Sequence, residues 1–240
     1  MKKIILSALA AFFMVSSAYA DTVRMGTEGA YPPYNFINDN GEVDGFEKDV
    51  GDMLCIRANL DCVWVINEWD SIIPNLVSGN YDTIIAGMSI TAERDEVIDF
   101  TQDYFPPSPS VYMGMSGSDV DFEGGVIAAQ TATIQAGYVA ESGATLVEFA
   151  TAEETISAVQ NGEADAVLAD GDYLASIIAE SGGEFANVGE VSIGGGVGMG
   201  IRESDGDLKA TMNKAISSMK EDGSLNALIK KWFGNDANTF

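Results

Sequence analysis

Arg94 offers the most specific chemistry in this chain, because a guanidinium presents a planar fork of donors that fits a carboxylate. It follows Asp82-Thr83-Ile84-Ile85-Ala86-Gly87-Met88-Ser89-Ile90-Thr91-Ala92-Glu93, which reads as a buried strand opening into a loop of small and polar residues. Gly87 and Ser89 leave backbone groups and a hydroxyl open to a ligand. The plainer alternative pairs Arg94 with its neighbours Glu93, Asp95 and Glu96 on a solvated face. Asp170 is the second charged candidate, at the end of the apolar run Ala166-Val167-Leu168-Ala169. It offers a carboxylate to an ammonium, or alternatively an N-cap to a helix over residues 172–179. With no histidine and two cysteines in the chain, His-activated nucleophiles and the usual metal-ligand sets are excluded.

The elements that must position these residues alternate between strand and helix, which predicts α/β layers around mostly parallel sheets. A strand over residues 23–26 leads into Tyr31-Pro32-Pro33-Tyr34, and Asn38-Asp39-Asn40-Gly41 has hairpin-turn chemistry. Val50, Met53, Leu54 and Ala58 fall at helical spacing, and residues 62–66 form the next strand. Trp69, Ile72, Ile73, Leu76 and Val77 predict an amphipathic helix ended by Gly79. A second unit starts near Val126, with a strand, the polar loop 130–133 and a helix from Ile134. Thr151 and Glu154 have the capping-box spacing ahead of another helix. Leu208, Met212, Ala215 and Met219 mark a further helix, and Leu225, Leu228, Ile229 and Trp232 a last one.

The two units echo each other. Ser78-Gly79-Asn80-Tyr81-Asp82-Thr83-Ile84-Ile85-Ala86-Gly87 aligns with Asn161-Gly162-Glu163-Ala164-Asp165-Ala166-Val167-Leu168-Ala169-Asp170. If the echo is architectural rather than coincidental, Gly87 and Asp170 end equivalent strands, where open α/β sheets bind ligands. Pro106-Pro107-Ser108-Pro109-Ser110 and Gly194-Gly195-Gly196 flank the second unit as two crossovers. The expected division is a first lobe over residues 21–110, a second over 111–192, and a return to the first over 193–240.

Residues 1–20 read as an export signal cleaved after Ala20: Lys2 and Lys3, an apolar run, then Ala18-Tyr19-Ala20. The run is too short to span a membrane, and residue 21 is Asp, so a lipid anchor is not indicated. Removing the two signal lysines leaves 10 basic residues against 37 acidic ones, a net of −27 instead of −25. Nucleic acid and acidic membrane surfaces are therefore poor partners. In an exported chain Cys55 and Cys62 predict a short-loop disulfide, with two free thiols as the alternative.

The stretch ending at Arg94, together with Gly45-Phe46-Glu47-Lys48-Asp49-Val50 and the closing segment 225–234, resembles the polar amino-acid family of periplasmic solute-binding proteins. The resemblance covers essentially the whole mature chain. Lys48 departs from it, since an aliphatic residue is usual there, and Ala132 stands where glycine is usual. The Cys55–Cys62 spacing resembles members that bind lysine, arginine, ornithine or histidine. The resemblance implies an α/β, two-lobed periplasmic binding protein of type II, each lobe a mostly parallel sheet flanked by helices. Its two crossover hinges would let the lobes close on a ligand.

The resemblance also implies roles. Arg94, the Ser89 backbone and the helix start Thr133-Ile134 would hold an α-carboxylate. Asp170, the Gly87 carbonyl and the Ser89 or Thr133 hydroxyl would hold an α-ammonium. Tyr31 and Trp69 would sandwich the ligand side chain, with cation–π attraction for a guanidinium; for Trp69, core packing is the alternative. Glu28 and Glu47 match acidic positions of basic-amino-acid binders, and Gln130 and Gln135 would reach a longer side chain.

The expected function is the periplasmic substrate-binding component of an ABC importer, a monomer with no cofactor and no metal. Its partners would be a free amino acid, with arginine, lysine and ornithine first, and an inner-membrane ABC permease. Opines are the next choice, because Glu-Gly-Ala-Tyr-Pro-Pro and Glu-Trp-Asp also resemble octopine binders, and neutral polar amino acids follow. The rival is an enzyme resembling periplasmic cyclohexadienyl dehydratases, with Glu28 or Glu47 as general acid. An intact Arg94 and Asp170 pair favours a bare amino acid and no chemistry, so the chain is read as a binder and not an enzyme.

Overall fold

A computed structural model describes residues 22–240; the export signal read over residues 1–20 lies outside them. The first lobe begins with β1 (Thr22–Thr27), the short strands β2 (Ala30–Tyr31), β3 (Asn35–Ile37) and β4 (Val43–Asp44), and helix α1 (Phe46–Ala58). Next come β5 (Asp61–Ile66), a 3-10 turn (Trp69–Ser71) running into α2 (Ile72–Val77), β6 (Thr83–Ile84), α3 (Ala92–Asp95) and β7 (Asp99–Phe105). The second lobe holds β8 (Ser110–Met115), β9 (Val126–Gln130), α4 (Ile134–Ser142), β10 (Thr145–Phe149), α5 (Ala152–Gln160), β11 (Ala166–Asp170), α6 (Gly171–Glu180) and β12 (Phe185–Val191). The chain then returns through β13 (Val197–Ile201), α7 (Gly206–Glu221) and α8 (Ser224–Phe233).

Two five-stranded sheets follow one plan, β5-β1-β6-β13-β7 and β10-β9-β11-β8-β12. β1 runs parallel to β5 and β6, and β9 parallel to β10 and β11. The remaining pairings, β13 with β6 and β7 and β8 with β11 and β12, are antiparallel. The sheets are therefore mixed where strand–helix alternation predicts mostly parallel ones. The reason lies in the crossings: β7 and β12 leave each lobe at the hinge, while β8 and β13 enter there, so they must run in opposite directions. β6 and β11 occupy the same place in the two sheets, so the sequence echo is architectural. Their carboxyl ends point the same way as the departing strands, toward the hinge and the cleft.

Local sequence chemistry accounts for most element ends. The Thr151–Glu154 capping box is complete, with Thr151 Oγ1 accepting from the Glu154 amide at 3.2 Å and Glu154 Oε2 from the Thr151 amide at 3.0 Å. The helix expected from Trp69 instead opens as a 3-10 turn and becomes α-helical at Ile72. Pro74 has no N–H to donate backwards, so it fits only in a first helical turn, where that donor is not needed. Cys55 in α1 and Cys62 in β5 form the disulfide, with S–S at 1.99 Å and Cα atoms 6.2 Å apart.

In the first lobe the core lies between the sheet and α1, α7 and α8, with Phe46, Val50, Leu54, Met212, Ile216 and Ile229 fully buried. The same cluster continues into the second lobe through Val111, Val167 and Leu174. Tyr34, Phe46, Phe105 and Phe233 meet edge to face there. At the second crossing the backbones come so close that a Cβ on Gly196 would lie 2.7 Å from Asp103 Cβ and 2.9 Å from Phe105 O. Only glycine passes there without displacing the hinge.

Candidate functional site

One cavity between the lobes collects most of the residues singled out by sequence. Glu28, Tyr31, Trp69, Gly87, Ser89 and Arg94 line it from the first lobe. Gln130, Thr133, Ile134, Gln135 and Asp170 line it from the second. The cavity's volume is about 30 Å³.

Arg94 sits at the third position of α3, a short helix capped by Thr91 Oγ1 on the Arg94 amide at 3.2 Å. Its guanidinium turns away from Glu93, Asp95 and Glu96, which are exposed, and among the described residues it forms no ion pair. Instead Nη1 donates to the Ser89 carbonyl at 2.9 Å, and Nη2 reaches the Ala132 carbonyl of the other lobe at 3.4 Å. The guanidinium carbon also lies 5.5 Å from the Trp69 ring centroid, over its face. Burial lowers the Arg94 pKa, with Asp170 and Glu93 opposing the shift. A desolvated cation without a carboxylate partner is poised for an anion.

Opposite it, α4 begins at Ile134 with Thr133 as N-cap. Thr133 Oγ1 accepts from the Ala136 amide at 3.1 Å and donates to the Gln130 carbonyl at 2.6 Å. That hydroxyl is thus committed to the cap, and the backbone amides of the first turn are what this loop offers an anion. Ala132 takes φ 56, the left-handed region that favours glycine.

Asp170 ends β11 in the N-cap position of α6, yet its side chain caps nothing. Tyr31, from the other lobe, donates its hydroxyl to Oδ2 at 2.9 Å, and Gln135 Nε2 donates to Oδ1 at 2.9 Å. Gln135 also reaches Ser110 Oγ at 3.0 Å, so it orients the carboxylate. Burial raises the Asp170 pKa, Tyr31, Gln135 and Arg94 oppose the rise, and Asp172 adds to it. The helix-cap alternative is set aside by this geometry.

Glu28 follows β1 and faces the cavity. Gln130 Nε2 donates to its Oε1 at 2.7 Å across the cleft. Burial pushes its pKa up to about 7, the Gln130 hydrogen bond opposes this, and Glu68 and Glu47 add to it. Trp69 and Tyr31 are 8 % exposed. The Trp69 indole N–H has no partner among the described residues. Tyr31 lies flat against Tyr173 of α6, centroids 4.0 Å apart and planes at 16°. One face of Tyr31 is therefore taken.

Glu47 is placed differently from the expectation. It is fully buried in α1 and does not line the cavity. Its carboxylate accepts from the Gly87 amide at 2.6 Å, from Asn35 Nδ2 at 2.6 Å and from the Tyr104 hydroxyl. Asn35 Oδ1 in turn accepts from the Gly29 amide at 2.6 Å. Glu47 thus ties the loops that carry Gly29 and Gly87 together from behind the cavity. Gly87 has φ 62, and a Cβ there would approach Tyr31 Cδ1 to 3.6 Å; glycine keeps that loop in a conformation that aims its amide at Glu47.

Sequence reasoning passed over Ala86, Ala152, Thr155, Leu168 and Ala169, which complete the lining. The echo contained a signal for three of them, since Ala86, Leu168 and Ala169 lie at the carboxyl ends of the paired strands. Ala152 and Thr155 stand in the first turn of α5 and had no separate signal.

A family model for bacterial extracellular solute-binding proteins, family 3, matches residues 23–235. The chain is 31% identical to the lysine/arginine/ornithine-binding periplasmic protein of Escherichia coli (strain K12), over 97% of this chain and 97% of that one. It is 29% identical to the putative ABC transporter arginine-binding protein 2 of the same organism, over 97% and 99%. Among solved structures, a periplasmic His/Glu/Gln/Arg/opine family-binding protein from Silicibacter pomeroyi in complex with lysine is 72% identical, with a TM-score of 0.88. That likeness covers 91% of this chain and 100% of the other.

Proposed function

Because the chain belongs to the bacterial extracellular solute-binding proteins, family 3, we propose that it is the periplasmic substrate-binding component of an ABC importer and captures a free basic amino acid between its lobes. The carrying observation is the convergence of Arg94 and Asp170 on one cavity with Glu28 beside them. An amino acid presents a carboxylate, an ammonium and a side chain, and these three groups answer them in turn. Arg94, the Ser89 loop and the α4 amides take the carboxylate. Asp170 takes the ammonium, with Gln135 holding it in place. Glu28 takes a lysine, ornithine or arginine head group, and Tyr31 and Trp69 flank the stem.

Lysine leads this list. The lysine complex of the 72% identical protein supports it, as does the acid at Glu28. The opine reading has only the Trp69 N–H, which is buried without a partner among the described residues and would have to be uncovered to meet an additional acceptor on the ligand. Among the described residues the carboxyl groups that line the cavity are Glu28 and Asp170. Glu47 is buried away from it, so the dehydratase reading keeps Glu28 alone of its two candidate acids. The test is calorimetric titration with lysine, arginine, ornithine, histidine, glutamine and octopine. Tight binding of octopine or glutamine with none of the three basic amino acids bound would overturn the ligand choice. Conversion of arogenate or prephenate would overturn the binder reading.

A further inference from the structure

We propose that Tyr173 is a positioning residue of the closed cleft, docking on Tyr31 so that the first turn of α6 grips the opposite lobe while the ligand is held. Tyr173 is the third residue of α6 and is not among the residues that line the cavity. Its ring stacks on Tyr31 at 4.0 Å and 16°, and Asp170, one turn earlier, accepts the Tyr31 hydroxyl at 2.9 Å. Tyr31 is thus held twice by one helix start of the other lobe.

The two grips differ in kind. The other bonds across the cleft, Gln130 to Glu28 and Arg94 to the Ala132 carbonyl, join polar groups. Water replaces such bonds when the lobes part, so their net contribution to closure is small. The ring contact is dry, with Tyr31 8 % and Tyr173 3 % exposed, and opening returns both faces to water. A ligand ammonium competes with the Tyr31 hydroxyl for Asp170 but has no claim on Tyr173. The stack therefore persists in the liganded form while the polar bonds are exchanged.

Tyr31 is also a firm target. β2 pairs with β3, where Asn35 connects the Gly29 amide to Glu47. Docking on Tyr31 thus transmits to the loop that carries Glu28. The inference rests on the ligand reading above, since its effect is read through release of the bound amino acid.

The experiment measures association and dissociation rates of lysine, arginine and ornithine for wild type, Tyr173→Phe and Tyr173→Leu. The leucine variant retains apolar burial so that the fold survives, and the phenylalanine variant retains the stack. Expected is an increase in dissociation rate of about three- to tenfold for Tyr173→Leu, equal for all bound ligands, with association nearly unchanged. Tyr173→Phe should stay within about twofold of wild type, because its ring still stacks. Dissociation from Tyr173→Leu at the wild-type rate, or an equal defect in Tyr173→Phe, would overturn the proposal while the ligand reading stands. Wild type that binds none of the three would overturn both.

Discussion

Gln130 of the second lobe donates its side-chain amide to Glu28 of the first, Nε2 to Oε1 at 2.7 Å, and the same nitrogen reaches the Ala150 carbonyl at 3.1 Å. Burial pushes the Glu28 pKa up to about 7, and the Gln130 bond opposes that rise. A cationic head group arriving there favours the carboxylate form and lowers that pKa. On the basic-ligand proposal, binding would then expel a proton and join ligand charge to pH.

Affinity for lysine should rise as pH climbs from about 5 to 7 and level off above, because only the free protein holds the extra proton in that window. The slope approaches tenfold per pH unit at its steepest. Asp170 is also raised by burial, so glutamine, which meets Asp170 but brings no cation to Glu28, is the control. Glu28→Gln should flatten the excess slope of lysine over glutamine. Calorimetry at pH 6 in buffers of different ionisation heat reads the released proton. Identical lysine profiles for wild type and Glu28→Gln would refute the assignment.

Arg94→Ala should abolish tight binding of every amino acid while the fold is retained. The arginine lacks a carboxylate partner in the free protein, so its loss costs the fold little, but the ligand carboxylate would be buried unpaired. That costs about 3–5 kcal/mol, on the order of several hundredfold in Kd or more. Asp170→Ala should act alike through the ammonium. Near-normal affinity in a folded Arg94→Ala protein would sink the anchor.

Glu47→Ala should behave unlike Glu28→Gln. It strands the Gly87 amide, the Asn35 amide and the Tyr104 hydroxyl in the interior, each at about 1–3 kcal/mol. Thermal unfolding should therefore drop sharply, and affinity should fall for basic and neutral ligands by the same factor. Selective loss of basic ligands alone would return Glu47 to the head-group role.

Reduction of Cys55–Cys62 should lower stability and leave affinity unchanged, since neither cysteine lines the cavity. The short loop limits the loss to about 2–3 kcal/mol. Calorimetric Kd values measured with and without reductant, beside melting curves, check both halves. A reduced protein that melts at the same temperature would show that the bridge constrains nothing.

Much of this architecture is legible along the chain. Helical spacing marks α1, α7 and α8, Thr151 and Glu154 mark the start of α5, and the repeated glycine–aspartate–strand unit marks β6 and β11. These signals are local: periodicity and caps act over one or two turns. The direction of β8 and β13 was not legible, because it follows from crossing between lobes and not from any short segment.

The candidate site divides along the same line. The types and spacing of Arg94, Asp170, Gly87 and Ser89 by themselves leave a local ion-pair face and a helix cap open. It is the resemblance to the solute-binding family that singles them out as a place for opposite charges at the ends of paired strands. Only the tertiary structure decided which way each acid turns. Glu28 and Glu47 are both acids on first-lobe elements, yet one faces the cleft and the other three interior donors. Tyr31 finds Asp170 at a separation of 139 residues and Tyr173 just beyond it. A side chain's partner is set by which groups remain unsatisfied once distant elements have packed, and no local pattern encodes that.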